Sequence, residues 1–432
     1  MGRAAHQVTT RHLGAVYPFA AEPGLGASGV VVGRDLLGGV FAYDPFELYR
    51  DGVLTNPNLV VFGQIGRGKS ALVKTYLWRQ AVFGRRAWVV DPKGEYGPLA
   101  EAWGVTPLSL RPGGHVRLNP LDAPGIGLAH GPGGRSGLAV RSEAGGRSGH
   151  GETARRRAEL LVSLAAAGLG RALAPTERTA VELGVTAVST GSTSVPTLPD
   201  VVDALLAPTA QTAAAVRTDA AGLAADGRQV ALELRRLVTG DLCGMFDGPT
   251  TPGIDLDGPL VVLDLSAVYH SAALGVLMTC ATAWLQTRLQ QGVTSGVLLV
   301  VDEAWAILRN LEVARWLQAS WKLARAWGVA NMVVLHRVSD LQSGGPAGSE
   351  QANLAQGLLA DSETRIVYAQ PAGEVELAAR LLGLSSTEAE LVPQLRRGVG
   401  LWKVGSRSFL VEHRLSPSEV GLIDTDSRML RA

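Results

Sequence analysis

The sequence predicts an α/β fold with a mostly parallel central sheet, an inserted all-α subdomain and a small N-terminal β element. Apolar strand patterns at residues 58–62 and 87–90 flank a helical pattern at 69–82, and this alternation is typical of a parallel sheet. Between residues 152 and 240 only helical patterns occur, and the alternation then resumes. With 432 residues, of which 46% are hydrophobic, the chain is long enough to form such a core.

Local patterns predict each element of the first half in turn. Short strands between glycines at residues 29–33 and 40–44 form the N-terminal β element. The stretch 122–151 is rich in Gly, Ser and Arg, which indicates a flexible loop in front of the helical insertion. The helices of the insertion are predicted at residues 154–167, 176–188, 199–206 and 223–238.

The second half returns to strands and helices. Strands are predicted at residues 260–264, 297–301, 331–335 and 365–369, followed by a hairpin at 398–404 and 408–413. The apolar stretch 272–285 is shorter than the ~20 residues of a membrane span, so we interpret it as a buried helix. The predicted domains are a β segment (1–52), the first part of the sheet domain (53–121), the flexible loop (122–151), the all-α subdomain (152–240), the second part of the sheet domain (241–415) and a tail (416–432).

Composition excludes several classes of protein. The net charge is +1, so no overall field indicates a nucleic-acid partner. Cys243 and Cys280 are the only cysteines and lie far apart, which excludes a disulfide framework or zinc site and favours a reducing cytoplasm. The first ten residues lack the apolar core of a signal peptide.

A glycine-rich turn between the first strand and helix carries the clearest chemistry. Residues 63–70 read Gly-Gln-Ile-Gly-Arg-Gly-Lys-Ser and fit the phosphate-binding pattern G-x-x-x-x-G-K-S. In this pattern backbone N–H groups surround phosphate oxygens, Lys69 places its charge on the β- and γ-phosphates, and the Ser70 hydroxyl binds Mg²⁺. The helix N-terminus adds a favourable dipole. The predicted nucleotide-binding residues are Gly63, Gln64, Ile65, Gly66, Arg67, Gly68, Lys69, Ser70 and Ala71.

Two carboxylates follow the apolar strand 297–301. Asp302 is the predicted ligand of the Mg²⁺ shell, and Glu303 is the predicted residue that polarises the attacking water. The adjacent glutamate favours hydrolysis over transfer of phosphate to an acceptor. Together with the loop around Lys69, the pair predicts an ATPase that uses ATP and Mg²⁺.

Other nucleotide-binding classes lack their signatures here. No lysine has the Asn-Lys-x-Asp context by which a GTPase reads its base. The Ser-Gly-Gly of a transporter-type ATPase would precede the acidic strand, but here residues 343–345 come after it. The glycines of residues 24–29 match a dinucleotide fingerprint, yet a strand pattern follows them, so we interpret them as a turn.

Two further strand ends are open to more than one interpretation. His336 follows the strand 331–335, where either a γ-phosphate sensor or an ordinary surface histidine would lie. Asp91, with Lys93 and Glu95 nearby, either faces the nucleotide or forms the next turn.

Arginines provide candidates for contacts between subunits. Arg325 and Arg365 are candidates for an arginine finger that acts on the nucleotide of a neighbouring subunit. The run 155–157 either meets phosphate backbone or membrane, or forms the solvated edge of a loop, and we favour the loop edge.

On these motifs the chain resembles the C-terminal ATPase domain of the VirB-type and TraC-type ATPases of conjugation and type IV secretion, within the FtsK/HerA superfamily. The likeness covers about residues 50–415. Its pieces are the loop 63–70, Asp-Pro-Lys-Gly-Glu-Tyr at 91–96, Leu-Asn-Pro at 118–120, Asp-Glu-Ala-Trp at 302–305, Ser-Asp-Leu at 339–341 and the terminal hairpin. Two departures are His336, where the family has glutamine, and a short region before the loop, where the family has a substantial domain.

The resemblance implies a RecA-like P-loop ATPase that works as a hexamer and energises transfer of DNA or protein through a membrane channel. It implies channel components as partners and a cytoplasmic location, peripheral at the inner membrane face. The chain itself is expected to have no stable membrane insertion and to dock on a partner through residues 13–50. Two other functions stay open: a translocase acting directly on duplex DNA, and a regulatory nucleotide-binding module without sustained turnover.

Overall fold

A computed structural model describes most of the chain: residues 24–26, 28–122, 148–191, 194–254, 258–271, 274, 276–280, 284, 296–305, 318, 321, 328–341 and 350–423. Its strands are β1 (Val30–Asp35), β2 (Val40–Tyr43), β3 (Leu59–Phe62), β4 (Arg86–Asp91), β5 (Leu108–Ser109), β6 (Leu260–Asp264), β7 (Val297–Val301), β8 (Val329–Leu335), β9 (Thr364–Val367), β10 (Val399–Val404) and β11 (Arg407–His413). Its α-helices are α1 (Pro45–Arg50), α2 (Lys69–Gln80), α3 (Gly97–Ala102), α4 (Ser148–Leu169), α5 (Pro175–Gly191), α6 (Leu198–Leu206), α7 (Ala210–Ala214), α8 (Ala220–Val238), α9 (Glu350–Ala360), α10 (Val375–Leu382), α11 (Ser386–Leu391) and α12 (Val420–Ile423).

These elements fall into two units. The first consists of Met1–Arg85, Leu335–Val338 and Leu359–Ala432, and the second of Arg86–Val334 and Ser339–Leu358. The domain boundaries expected from the sequence divide the chain differently and stay predictions. Arg325, most of the predicted loop 122–151 and part of the predicted docking segment 13–50 lie outside the described residues.

In the first unit, strands from both ends of the chain pair with each other. β1 is antiparallel to β2 and to β11, β10 is antiparallel to β11 and to β9, and β9 is parallel to β3. A Cβ on Gly33 in β1 would lie 2.0 Å from the carbonyl oxygen of Glu412, so glycine is required where β1 meets β11. The N-terminal β element is therefore part of a sheet with the C-terminal hairpin.

An aromatic cluster fills the core beneath this antiparallel part. The ring of Phe41 lies 5.1 Å from that of Trp402 and 5.2 Å from that of Phe409, and Tyr43 lies 5.3 Å from Trp402. Such tilted and edge-on aromatic pairs stabilise a core beyond the area that they bury. The cluster joins residues of β2 to residues of β10 and β11.

The second unit contains the parallel sheet that the sequence predicts. β7 pairs with β8 and β4, β4 pairs with β6, and β6 pairs with β5, all in parallel. Every residue of β7 and β8 is buried, as expected of parallel strands that are covered on both faces. The sequence of β7 is correspondingly a continuous apolar run, and that of β8 is apolar except for the buried Asn331.

The helices α4 to α8 are inserted between β5 and β6. A capping box in which Thr197 and Asp200 bond each other's backbone begins α6. A Cβ on Gly227 of α8 would lie 3.2 Å from the Leu205 side chain and 3.3 Å from that of Ala180, so this glycine allows α5, α6 and α8 to pack closely. The insertion is a bundle with its own apolar core.

The arginine run 155–157 corrects a prediction. It lies on α4 and not at a loop edge, and Arg157 is buried, with its guanidinium donating to the Leu121 carbonyl (2.9 Å) and the Ser189 hydroxyl (3.2 Å). Arg157 is therefore a structural link between α4, α5 and the segment that follows β5. Its neighbours Arg155 and Arg156 are exposed.

The apolar stretch 272–285 is described only in part. Six of its described side chains are buried: Leu274, Leu277, Met278, Thr279, Cys280 and Trp284. Among the described helices, none combines the length and apolar character needed to cross a membrane.

Candidate functional site

The P-loop, residues 63–70 of the first unit, connects β3 to α2. Gly66 (φ 77°) and Gly68 (φ 110°) both adopt the left-handed region that side chains disfavour. Gly68 also caps the helix, so Lys69 and Ser70 are its first two residues. Ile65 and Gly66 at the apex of the loop are exposed. The N–H groups of the loop and of the first helical turn thus form an anion-binding cradle open to solvent.

The charge of Lys69 lies inside this cradle. The side chain is only 5% exposed, and its ammonium donates to the carbonyl oxygens of Gly63 and of Gln64, the latter at 3.1 Å. A buried ammonium held by loop carbonyls is a fixed point charge for a phosphate. This placement fits the role that the sequence predicts for Lys69.

Residues distant in sequence pack against the P-loop and form hydrogen bonds with its backbone. A Cβ on Gly63 would lie 2.5 Å from the Cβ of Tyr368, so the residue that follows β9 packs directly against the start of the loop. The N–H of Gln64 donates to the Ala369 carbonyl (3.2 Å), and the N–H of Gly398 donates to the Arg67 carbonyl (3.0 Å). Sequence reasoning missed these supports, because no local pattern links residues 368 and 398 to the loop.

The helix that follows the P-loop is anchored by a half-buried histidine. His413 of β11 and the Thr75 hydroxyl of α2 lie 2.9 Å apart, from Nε2 to Oγ1. Burial, together with the positive charge of Arg79, lowers the pKa of His413 to about 4, against a smaller opposing effect of Glu419. The imidazole is therefore neutral at physiological pH.

Asp91 organises the turn after β4 in the second unit. One carboxylate oxygen accepts from the N–H groups of Lys93 (3.1 Å) and Gly94 (2.9 Å), and the other from that of Tyr96 (3.0 Å). Burial, and after it the charge of Asp302, raise the pKa of Asp91 to about 6, although the bond from the Tyr96 N–H opposes them. Of the two interpretations of Asp91, the turn is therefore the one seen within this unit.

Asp302 and Glu303 follow β7 directly. The Tyr96 hydroxyl donates to Asp302 (3.3 Å), whose other oxygen accepts from the N–H of Glu303 (2.9 Å). Burial, and after it the charge of Glu303, raise the pKa of Asp302. Adjacent buried carboxylates form a place where a cation would be stabilised, and the role of Asp302 as a Mg²⁺ ligand stays a prediction.

Glu303 is held at both carboxylate oxygens. Lys93 forms an ion pair with one oxygen, and the indole N–H of Trp305 donates to the other. The Glu303 side chain is 3% exposed and that of Lys93 27%. Residues 91, 93 and 96 of the Asp-Pro-Lys-Gly-Glu-Tyr segment and residues 302, 303 and 305 of Asp-Glu-Ala-Trp therefore form one cluster, which we call the acidic cluster.

The remaining predicted site residues have different surroundings. The Gln370 amide donates to the backbone carbonyl of His336 (3.4 Å), and this contact does not bear on the predicted sensor role. Arg365 donates to the carbonyls of Leu382 and Leu359, both at 3.2 Å, which cap the ends of two helices. Its role as an arginine finger stays a prediction, as does that of Arg325 outside the described residues.

The P-loop between β3 and α2, the parallel sheet and the helical insertion define the class: the chain has the RecA-like α/β fold of P-loop ATPases, as the sequence predicts. The solved structure of VirB4 from Thermoanaerobacter pseudethanolicus superposes with a TM-score of 0.71 at 22% identity, over 92% of this chain and 99% of the chain in that structure. The plasmid coupling protein TrwB superposes in its complexes with the ATP analogue ADPNP (TM-score 0.55, 13% identity, 93% and 92% of the two chains) and with ADP and Mg²⁺ (0.54, 12%, 93% and 92%). The predicted resemblance is thereby confirmed for the fold. The sequence matches no protein-family model and no curated protein.

Proposed function

We propose that this chain is the ATP-hydrolysing motor of a conjugation or type IV secretion machine, which energises the transfer of DNA or protein. The observation that carries the proposal is the P-loop, with the ammonium of Lys69 inside a cradle of backbone N–H groups at a helix N-terminus. The fold shared with VirB4 and with TrwB, a coupling protein solved with ADP and Mg²⁺, supports the kind of machine.

The P-loop and the acidic cluster have different proposed roles in ATP hydrolysis. The P-loop holds the phosphates, and Lys69 lies closest to the β- and γ-phosphates. Ser70 and Asp302 are the residues that would hold Mg²⁺, which would neutralise charge on the phosphate oxygens. Glu303 orients and polarises the water that attacks the γ-phosphate. The low exposure of Asp302 and Glu303 excludes bulk water from both carboxylates, which strengthens their electrostatic effect.

Assembly and location complete the proposal. The motor acts as a ring, a hexamer in the family that the sequence resembles, in which Arg365 or Arg325 of one subunit reaches the nucleotide of the next. It lies at the cytoplasmic face of the inner membrane and reaches it through channel components. Residues 13–50 are the proposed docking segment, and DNA is a possible substrate of the assembled machine.

The first experiment separates binding from hydrolysis. Lys69→Ala should abolish ATP binding, because the phosphates lose their charged partner in the loop. Glu303→Gln should bind ATP normally and lose turnover by about 10²-fold or more, as expected for the loss of a catalytic base. Binding is measured with a fluorescent ATP analogue and turnover by phosphate release. Glu182→Gln on the exposed surface of α5 is the control.

Three results would contradict parts of the proposal. Turnover of Glu303→Gln at the wild-type rate would show that another residue activates the water. Hydrolysis that increases strongly with duplex DNA alone would indicate a DNA translocase, and tight ATP binding with negligible turnover in every preparation would indicate a regulatory module.

A further inference from the structure

The backbone of the turn that carries Lys93 is held by contacts that do not involve the Lys93 side chain. Asp91 accepts hydrogen bonds from the N–H groups of Lys93, Gly94 and Tyr96, and Gly94 adopts the left-handed region (φ 71°). A Cβ on Gly94 would lie 3.1 Å from Ser266, so a larger residue would be crowded there. The Cα of Lys93 is thus fixed relative to the end of β4, and only the orientation of its side chain can vary.

The backbone of Glu303 is strained at the same place. Its φ of 51° lies in the left-handed region, which residues with side chains rarely adopt because it strains the backbone. Such strain persists only where surrounding contacts determine the conformation. The contacts here are the Glu303 N–H to Asp302, the Lys93 ion pair and the Trp305 indole. Two of these three contacts hold the carboxylate itself.

Lys93 supplies a positive charge beside the two buried carboxylates of Glu303 and Asp302. Glu303 is almost completely buried and lies beside a second carboxylate, Asp302, so an uncompensated charge on it would be costly. Within the described part of the second unit, Lys93 is a cation that pairs with Glu303, and the Tyr269 ring lies 6.0 Å from the same ammonium. Burial lowers the pKa of Lys93, but pairing with Glu303 outweighs it, so the lysine stays charged.

We propose that Lys93 is a positioning residue for hydrolysis: its ion pair holds the Glu303 carboxylate aimed at the attacking water. This proposal rests on the function proposed above, in which Glu303 activates water. The third residue of the Asp-Pro-Lys-Gly-Glu-Tyr segment thereby acts through the second residue of Asp-Glu-Ala-Trp. Lys93 contacts neither the phosphates nor the water in this role, so its removal should affect the chemical step and not ATP binding.

The experiment replaces Lys93 in the full chain. Lys93→Met should lower kcat by roughly 10- to 100-fold, because a misplaced base loses the orientation on which it depends. The KM for ATP and the affinity for a fluorescent ATP analogue should stay within about twofold of wild type. Lys93→Arg should recover most of the activity, since a guanidinium also pairs with a carboxylate. Should Lys93→Met not fold, Lys93→Gln replaces it, because it removes the charge and keeps a donor.

Two comparisons separate positioning from general stability. Lys403→Met removes another half-buried, ion-paired lysine, whose partner Glu388 lies 3.0 Å away, and should leave kcat unchanged. In a Glu303→Gln background, Lys93→Met should have no further effect on kcat, because both changes remove the same oriented base.

The outcomes distinguish this proposal from the function on which it rests. Wild-type turnover that Lys69→Ala does not reduce would overturn both. Normal, Lys69-dependent turnover with an unchanged kcat in Lys93→Met would overturn the positioning role alone. An increased kcat in Lys93→Met would also overturn it, because Lys93 would then restrain Glu303 instead of aiming it. Equal losses of kcat in the single and Glu303→Gln backgrounds would mean that Lys93 acts independently of Glu303.

Discussion

Replacing His413 by glutamine should remove a pH-dependent part of the stability of the first unit. His413 lies on β11 against Thr75 of α2, with Arg79 and Glu419 as the charged groups that face it. Because burial and Arg79 lower its pKa, the folded unit excludes a proton that the unfolded chain accepts. Glutamine keeps a polar side chain there and does not titrate.

The magnitude follows from the two pKa values. The ordinary value of 6.5 and the folded value of about 4 bound the pH window. The full contribution is present above pH 6.5, decreases as the pH falls, and is lost below about pH 4. At about 1.4 kcal/mol for each pH unit, the total is about 3 kcal/mol, of which about 2 kcal/mol is lost at pH 5.

Hydrogen exchange followed by mass spectrometry measures the pH-dependent stability of the first unit locally. A local measurement suits a chain of two units better than a single global unfolding transition. After correction for intrinsic exchange, protection of β11 and α2 amides should fall between pH 7 and pH 5 in the wild type. It should fall by about 2 kcal/mol less in His413→Gln. His115→Gln, an exposed histidine of the second unit, should behave as the wild type. Equal losses of protection in His413→Gln and the wild type would refute the reasoning.

Two further predictions concern the P-loop and the proposed finger. Gly63→Ala should weaken ATP binding by roughly tenfold or more, because the added Cβ would lie 2.5 Å from Tyr368 and the loop must shift. The control is Gly97→Ala, which has no neighbour within 4 Å of the added Cβ and should bind ATP normally in the same titration. Arg365→Ala should lower turnover with nearly unchanged ATP affinity, and mixing it with Lys69→Ala subunits should restore some activity. A lower melting temperature with full turnover would instead assign Arg365 to its bonds with the Leu382 and Leu359 carbonyls.

Much of the fold is predictable because its signals are local. The strands β6 and β7 have the bounds that their apolar runs predict, since each run is closed by glycine, proline or aspartate. The P-loop is identified by spacing alone, because only glycines allow the conformations at residues 66 and 68. Short elements were not predicted, because they lack a periodic apolar pattern. Helix α1 depends on a cap by Asp44 and on Pro45 at its first position, and not on an amphipathic pattern.

The sequence by itself therefore determined the class of sheet and the helical insertion, and it predicted the phosphate-binding loop and the acidic pair. Only the tertiary structure decided that β1 pairs with β11, that Tyr368 and Gly398 support the loop, and that Lys93 pairs with Glu303. The physical reason is the nature of these contacts. Tyr43 and Thr364, for example, share a hydrogen bond across 321 positions of chain. Contacts of this kind depend on packing among distant segments, and they leave no periodicity or spacing in the sequence from which they could be predicted.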